Sequence, residues 1–153
     1  MLPLGDKHGG CGNGTFFHGS MSFLPVGTLL VPRGAAYESD WICTDFYSVL
    51  EANRPPEKRA HRDAVFLCKN DEDVGNAGGG EIWMFQVRPI TPVEWHDMQF
   101  SSLISCLISD GHAVNSPQVV QAAKDYWLGV ESADEPLWEG LCGGATIVAV
   151  DEY

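Results

Sequence analysis

Two segments, Ala64-Val65-Phe66-Leu67-Cys68 and Ala145-Thr146-Ile147-Val148-Ala149-Val150, are short, nearly continuous in apolar residues and bounded by polar or glycine-rich chain. Runs of this length and composition are buried strands, and they constrain the fold more than any other pattern in the chain. Glu81 to Pro89 alternates well enough for another strand, with Pro89 and Pro92 limiting its far end. Thr15 to His18 and Thr28 to Pro32 read as a strand, turn and strand around Phe23–Gly27, and Leu137 to Cys142 reads as a strand joined to Ala145–Val150 by a Gly143-Gly144 turn.

Helical periodicity lies between these segments. Asp40 is placed to cap a helix carrying Ile42, Phe46, Val49 and Leu50, which Arg54-Pro55-Pro56 ends. Leu103, Ile104, Leu107 and Ile108 form a second stripe, and Ser116-Pro117 opens a helix carrying Val119, Val120, Ala123 and Trp127. Asn70 to Asp73 opens a brief helix before the Gly78-Gly79-Gly80 link, and residues 1–14 form a glycine-rich, flexible lead-in containing His8 and Cys11. Mixed strands and helices without repeats or linkers predict one α+β domain over residues 1–153.

Charge narrows the function classes. Nine Lys and Arg against 21 Asp and Glu give a net charge of −12, which disfavours non-specific attraction to nucleic acid or an anionic membrane. The exception is local: Lys58, Arg59, His61 and Arg62 fall within five positions, either a solvated loop or a positive site for a small anion. The five cysteines are widely spaced, with no CxxC pair and no zinc-ligand spacing, so they read as reduced thiols and no metal is expected. The chain shows no signal-peptide pattern and no membrane-length apolar run, and a cytoplasmic location is expected.

Thr15-Phe16-Phe17-His18-Gly19-Ser20 carries the chemistry. It puts an imidazole that can donate and accept, and a glycine that a ligand can approach closely, at a strand end. Taken alone it is an ordinary core strand ending in a turn.

Phe17-His18-Gly19-Ser20 followed by Leu24-Pro25-Val26-Gly27-Thr28-Leu29-Leu30, then Val65-Phe66-Leu67, Ile82 to Val87, and Trp138-Glu139-Gly140-Leu141, come in an order that resembles the ADP-ribosyltransferase superfamily. The closer likeness is to its His-Tyr-Glu/Asp branch, with the diphtheria-toxin-like enzymes and the rifampin ADP-ribosyltransferases, whose Tyr-His-Gly-Thr and Leu-x-x-Gly-x-Leu-Leu segments the first two runs match. The resemblance spans about residues 15 to 152 and implies a split β-sheet core with short helices. It also implies NAD as co-substrate and mono-ADP-ribosyl transfer to a protein or small-molecule acceptor with release of nicotinamide.

By that resemblance His18 bonds a ribose of NAD, the Gly19 backbone contacts the nicotinamide amide, and Ser20 holds the turn. Phe66 stands where the family has Tyr, keeping a ring face for nicotinamide but losing the hydroxyl; Tyr37 or Tyr47 is a candidate second aromatic. Glu139 accepts a bond from the nicotinamide-ribose 2′-OH and favours the oxocarbenium-like cation, with Asp97 as its competitor for that role. Arg59 and Arg62 have the fork geometry that suits the NAD pyrophosphate. With Leu137 two places before Glu139, the acidic or amide partner associated with Arg-modifying members is absent.

Three other readings are open. An inactive binding module on the same scaffold would use its acidic surface to occupy a basic partner. An RNA 2′-phosphotransferase relative would need more basic residues than this chain carries. A cysteine hydrolase would use Cys68 or Cys142, neither of which has a helix-start context that lowers a thiol pKa.

Overall fold

The computed structural model describes residues 15–76 and 83–152. The 1–14 lead-in and the Gly78-Gly79-Gly80 link lie outside them. The described chain is α+β, with two antiparallel sheets and four α-helices. In order it runs β1 (Phe16–Ser20), β2 (Leu29–Leu30), α1 (Ala35–Trp41), α2 (Asp45–Ala52), β3 (Val65–Leu67), β4 (Trp83–Pro89), β5 (Glu94–Asp97), α3 (Gln99–Ser109), α4 (Pro117–Leu128), β6 (Trp138–Cys142) and β7 (Ala145–Glu152). One sheet has the order β1-β4-β7-β2, the other β3-β6-β5. Among the described residues they meet at a single rung, where Phe17 and Cys68 exchange backbone hydrogen bonds of 3.0 and 2.8 Å.

Strand alternation sorts the apolar residues into two cores. Phe66 and Leu141, directly opposite on β3 and β6, pack under α2, α3 and α4 with Phe100, Ile104, Val119 and Trp127. Val65, Leu67 and Cys142 point the other way and fill the space between the sheets with Phe85, Val87 and Ile147. The indole N–H of Trp127 donates to the Leu50 carbonyl at 2.8 Å, tying α4 to α2.

Two local expectations differ from the structure, and one strand forms where none was expected. Asp40 lies inside α1, and the next helix starts after Thr44, whose extended backbone breaks the spiral and whose hydroxyl donates to the Trp41 carbonyl at 2.6 Å. Ile42 is consequently exposed in the break. The terminal hairpin does not form, because β6 pairs with β3 and β5 while β7 pairs with β4 and β2. Gly143 and Gly144 carry the chain from sheet to sheet without a positive-φ turn; a Cβ at Gly144 would sit 2.9 Å from the Ile90 side chain, which would have to shift to admit it. Finally, β5 forms from Glu94-Trp95-His96-Asp97, a segment with no apolar alternation to announce it.

Other signals translate directly. Ser116 and Pro117 start α4, and Gly129 ends it in the left-handed conformation with φ 76°. Gly27, with φ 93°, closes the turn between β1 and β2, where the Thr28 N–H donates to the Pro25 carbonyl at 3.1 Å.

Candidate functional site

The two sheets part immediately beyond the Phe17–Cys68 rung. In an antiparallel ladder the next hydrogen-bonded rung falls two residues on, at Gly19 and Phe66. That rung is missing: the Phe66 carbonyl instead accepts from the His18 ring, Nδ1 to oxygen 2.8 Å. Because Phe17 turns its backbone groups toward β3, alternation turns those of Gly19 the same way, and among the described residues nothing pairs with them. A buried glycine therefore presents an N–H and a C=O at the split between sheets.

His18 anchors the edge of this opening. Burial lowers its pKa below the ordinary histidine value, and the bond to Phe66 offsets part of that, so the ring is neutral near pH 7. With Nδ1–H donating to Phe66, Nε2 is left as an acceptor. Ser20 holds the chain beyond it, its Oγ accepting the Ser22 N–H at 3.1 Å.

Glu139 sits one strand further across. Register places it on β6 opposite His96 and beside the position of Cys68, so Phe17, Cys68 and Glu139 form one row over β1, β3 and β6. The Tyr126 hydroxyl donates to Glu139 Oε2 at 2.7 Å, and His61 Nε2 lies 2.6 Å from the same hydroxyl. Since the phenol proton is given to the carboxylate, His61 must supply Nε2–H, which makes a one-way chain from imidazole to phenol to carboxylate. Burial, reinforced by Glu139, pushes the Tyr126 pKa well above its usual value, so Tyr126 remains a donor. His61 Nδ1 is buried with no partner among the described residues, and Glu139 Oε1 likewise takes no hydrogen bond there.

Glu139 and His61 form part of the wall of a cavity of about 490 Å³. Tyr37 and Trp41 of α1, Phe46 and Leu50 of α2, Met98, and Ser101, Ser102, Ser105 and Cys106 of α3 complete it.

The remaining candidates lie elsewhere. Phe66 is buried in a stack, its ring 5.1 Å from Tyr37 and 5.9 Å from His61, and it does not line the cavity. Asp97 is wholly buried, accepting from the backbone N–H groups of Gln99, Ser132 and Leu137 at 3.0, 2.9 and 3.0 Å. Burial alone would raise its pKa, but these three bonds outweigh burial and hold it below the usual carboxylate value. Arg62 pairs with Glu38 at 2.9 Å, and Arg59 donates through its guanidinium to the Asp63 carbonyl at 3.1 Å and through its backbone to Glu94. Burial pushes the Cys68 thiol up to about 12, with Asp73 and Glu139 adding to the shift, and burial raises Cys142 as well. Neither is a thiolate near neutral pH. Among the described residues no group of three or more His, Cys, Asp or Glu is placed to hold a metal ion.

Sequence reasoning missed two members of this arrangement. His61 was legible only as part of a basic loop, and Tyr126 only as a residue next to a core tryptophan; no spacing announces a contact between positions 61, 126 and 139. No described helix is long and apolar enough to cross a membrane. No protein-family model matches the chain, and no curated protein matches it.

Proposed function

We propose that this protein is an NAD-dependent mono-ADP-ribosyltransferase, transferring ADP-ribose to an acceptor with release of nicotinamide. The observation that carries the reading is the open rung at the sheet split. Among the described residues Gly19 offers unpaired backbone groups beside a neutral, anchored His18, and Glu139 stands two strands away, across β3 and on the face of Phe17 and Cys68, with one oxygen held and the other open. Two sheets joined at one rung also suit the split β-sheet core that the resemblance implies.

In this reading the Gly19 backbone takes the nicotinamide amide and His18 Nε2 accepts a ribose hydroxyl. The open Glu139 oxygen receives the 2′-OH, and its charge favours the cation that develops at C1′ as neutral nicotinamide departs. Positioning and electrostatics supply the acceleration, so residues that fix the carboxylate matter as much as the carboxylate itself. Arg59 and Arg62 would have to give up present partners to hold the pyrophosphate.

The burial of Phe66 within the Tyr37–His61 stack favours a second reading, a non-catalytic module whose acidic surface covers a basic partner. Calorimetry with millimolar NAD and an assay of nicotinamide release separate the two. Binding and turnover that Glu139→Gln removes support the enzyme; a folded protein that binds no NAD rejects it.

A further inference from the structure

We infer that the cavity between α1, α2 and α3 seats the acceptor, and that this acceptor is a small aromatic molecule carrying no negative charge. The inference rests on the proposed transferase activity for the word acceptor, and on the cavity alone for the ligand class.

The cavity walls are selective. Tyr37, Trp41 and Phe46 present three rings, with Tyr37 and Trp41 tilted by 34° at 6.2 Å and Trp41 edge-on to Phe46 at 5.6 Å. Such walls favour a flat ring, and a cation over an anion, through the negative faces of their π systems. Glu139 is the one charged side chain in the lining, so the local field repels phosphate and carboxylate. The diphosphate of NAD therefore belongs outside this space, which at about 490 Å³ has the size of a site for one small molecule.

The opposite wall supplies polar contacts. Ser101 and Ser105 stand one helical turn apart on α3 with Ser102 beside them, and their hydroxyls make no hydrogen bond to any described residue. They are available to orient a hydroxyl or amino group against the open Glu139 oxygen. In the transfer step that group, X–H, forms the X–C1′ bond and yields its proton to the Glu139 carboxylate. The C1′–N bond breaks with its electron pair going to the nicotinamide nitrogen, which neutralises the pyridinium.

Tyramine and 4-hydroxyphenylacetate, similar in size and opposite in charge, test the assignment by calorimetry on the full chain. The expected result is tyramine binding at least about tenfold more tightly, a preference equivalent to about 1.4 kcal/mol. Glu139→Gln should shrink the preference to what the ring faces supply, and Trp41→Ala should weaken both ligands. Ser105→Leu, at an exposed helix position where folding is not at stake, should block both. Equal binding of the anion, or binding unchanged in Ser105→Leu, overturns the ligand class or the location. Displacement of tyramine by NAD overturns the acceptor role, because the cavity would then belong to NAD itself. Charge-selective tyramine binding in a protein that binds no NAD rejects the transferase reading, and the acceptor role with it, while supporting the ligand class.

Discussion

Glu139 and Asp97 are both buried carboxylates on neighbouring strands of one sheet, 8% and 0% exposed, yet they are built for opposite purposes. His96 is the register partner of Glu139, so Asp97, the next residue along β5, faces the other side of the sheet. There it closes a loop: three backbone N–H groups from Gln99, Ser132 and Leu137 use both its oxygens. Glu139 faces the cavity with one oxygen held by Tyr126 and one open. A carboxylate satisfied by backbone donors is a structural tie, whereas one held at a single oxygen beside a cavity keeps the capacity to act on a ligand.

Four experiments press on this contrast. Glu139→Gln is isosteric and keeps the Tyr126 bond available, so nicotinamide release from NAD should fall by about 10²–10³-fold with little change in melting temperature, the scale expected for removing one stabiliser of transition-state charge. Steady-state kinetics alongside thermal unfolding would check it, and unaltered turnover would remove Glu139 from the chemistry. Asp97→Ala takes the acceptor from three part-buried backbone donors and should cost about 1–3 kcal/mol in chemical denaturation. The sign with pH follows from its depressed folded-state pKa: the Asp97 contribution is present above the ordinary carboxylate value and is lost as pH falls through the folded value, so wild type should lose more stability on acidification than Asp97→Ala.

A smaller effect is expected at Tyr126→Phe, which frees Glu139 Oε2 and leaves His61 Nε2–H without an acceptor. Turnover should drop by about tenfold, or about 1.4 kcal/mol, and ¹⁵N NMR of His61 should show the Nε2–H tautomer in wild type. An Nδ1–H tautomer in wild type would break the proposed direction of the chain. The smallest effect concerns the tyrosines around that chain. Burial raises Tyr37, Tyr126 and Tyr47, the last to about 12, with nearby carboxylates adding to each shift. Their contribution to stability is complete below about pH 10, the ordinary tyrosine value, and is lost as pH rises through the folded-state values. Denaturation midpoints should therefore hold up to about pH 10 and decline as pH rises from there to about 12.

Legibility varied with the range of the interaction. The apolar run at Ala64–Cys68 became β3, and Ser116-Pro117 with Gly129 bounded α4, because burial pattern and capping act within a few residues. The His18-Gly19 pair was visible as a strand end, and its position places it at the sheet split. The Asp40 cap failed because Thr44 competes for the start of the next helix, and the terminal hairpin failed because Gly143-Gly144 passes between sheets without turning back. Local glycine chemistry allows either course, and pairing partners far away in sequence select one.

Composition and local pattern by themselves settled that this chain is α+β, strongly acidic, and equipped with a His-Gly strand end and a Glu before its last strand. Tertiary structure alone decided that the Gly19–Phe66 rung stays open, that Tyr126 and His61 hold one oxygen of Glu139, and that Asp97 faces away from the cavity. The physical reason is that each of these depends on register and on contacts across separations as large as 65 residues, from His61 to Tyr126, which no short-range propensity encodes.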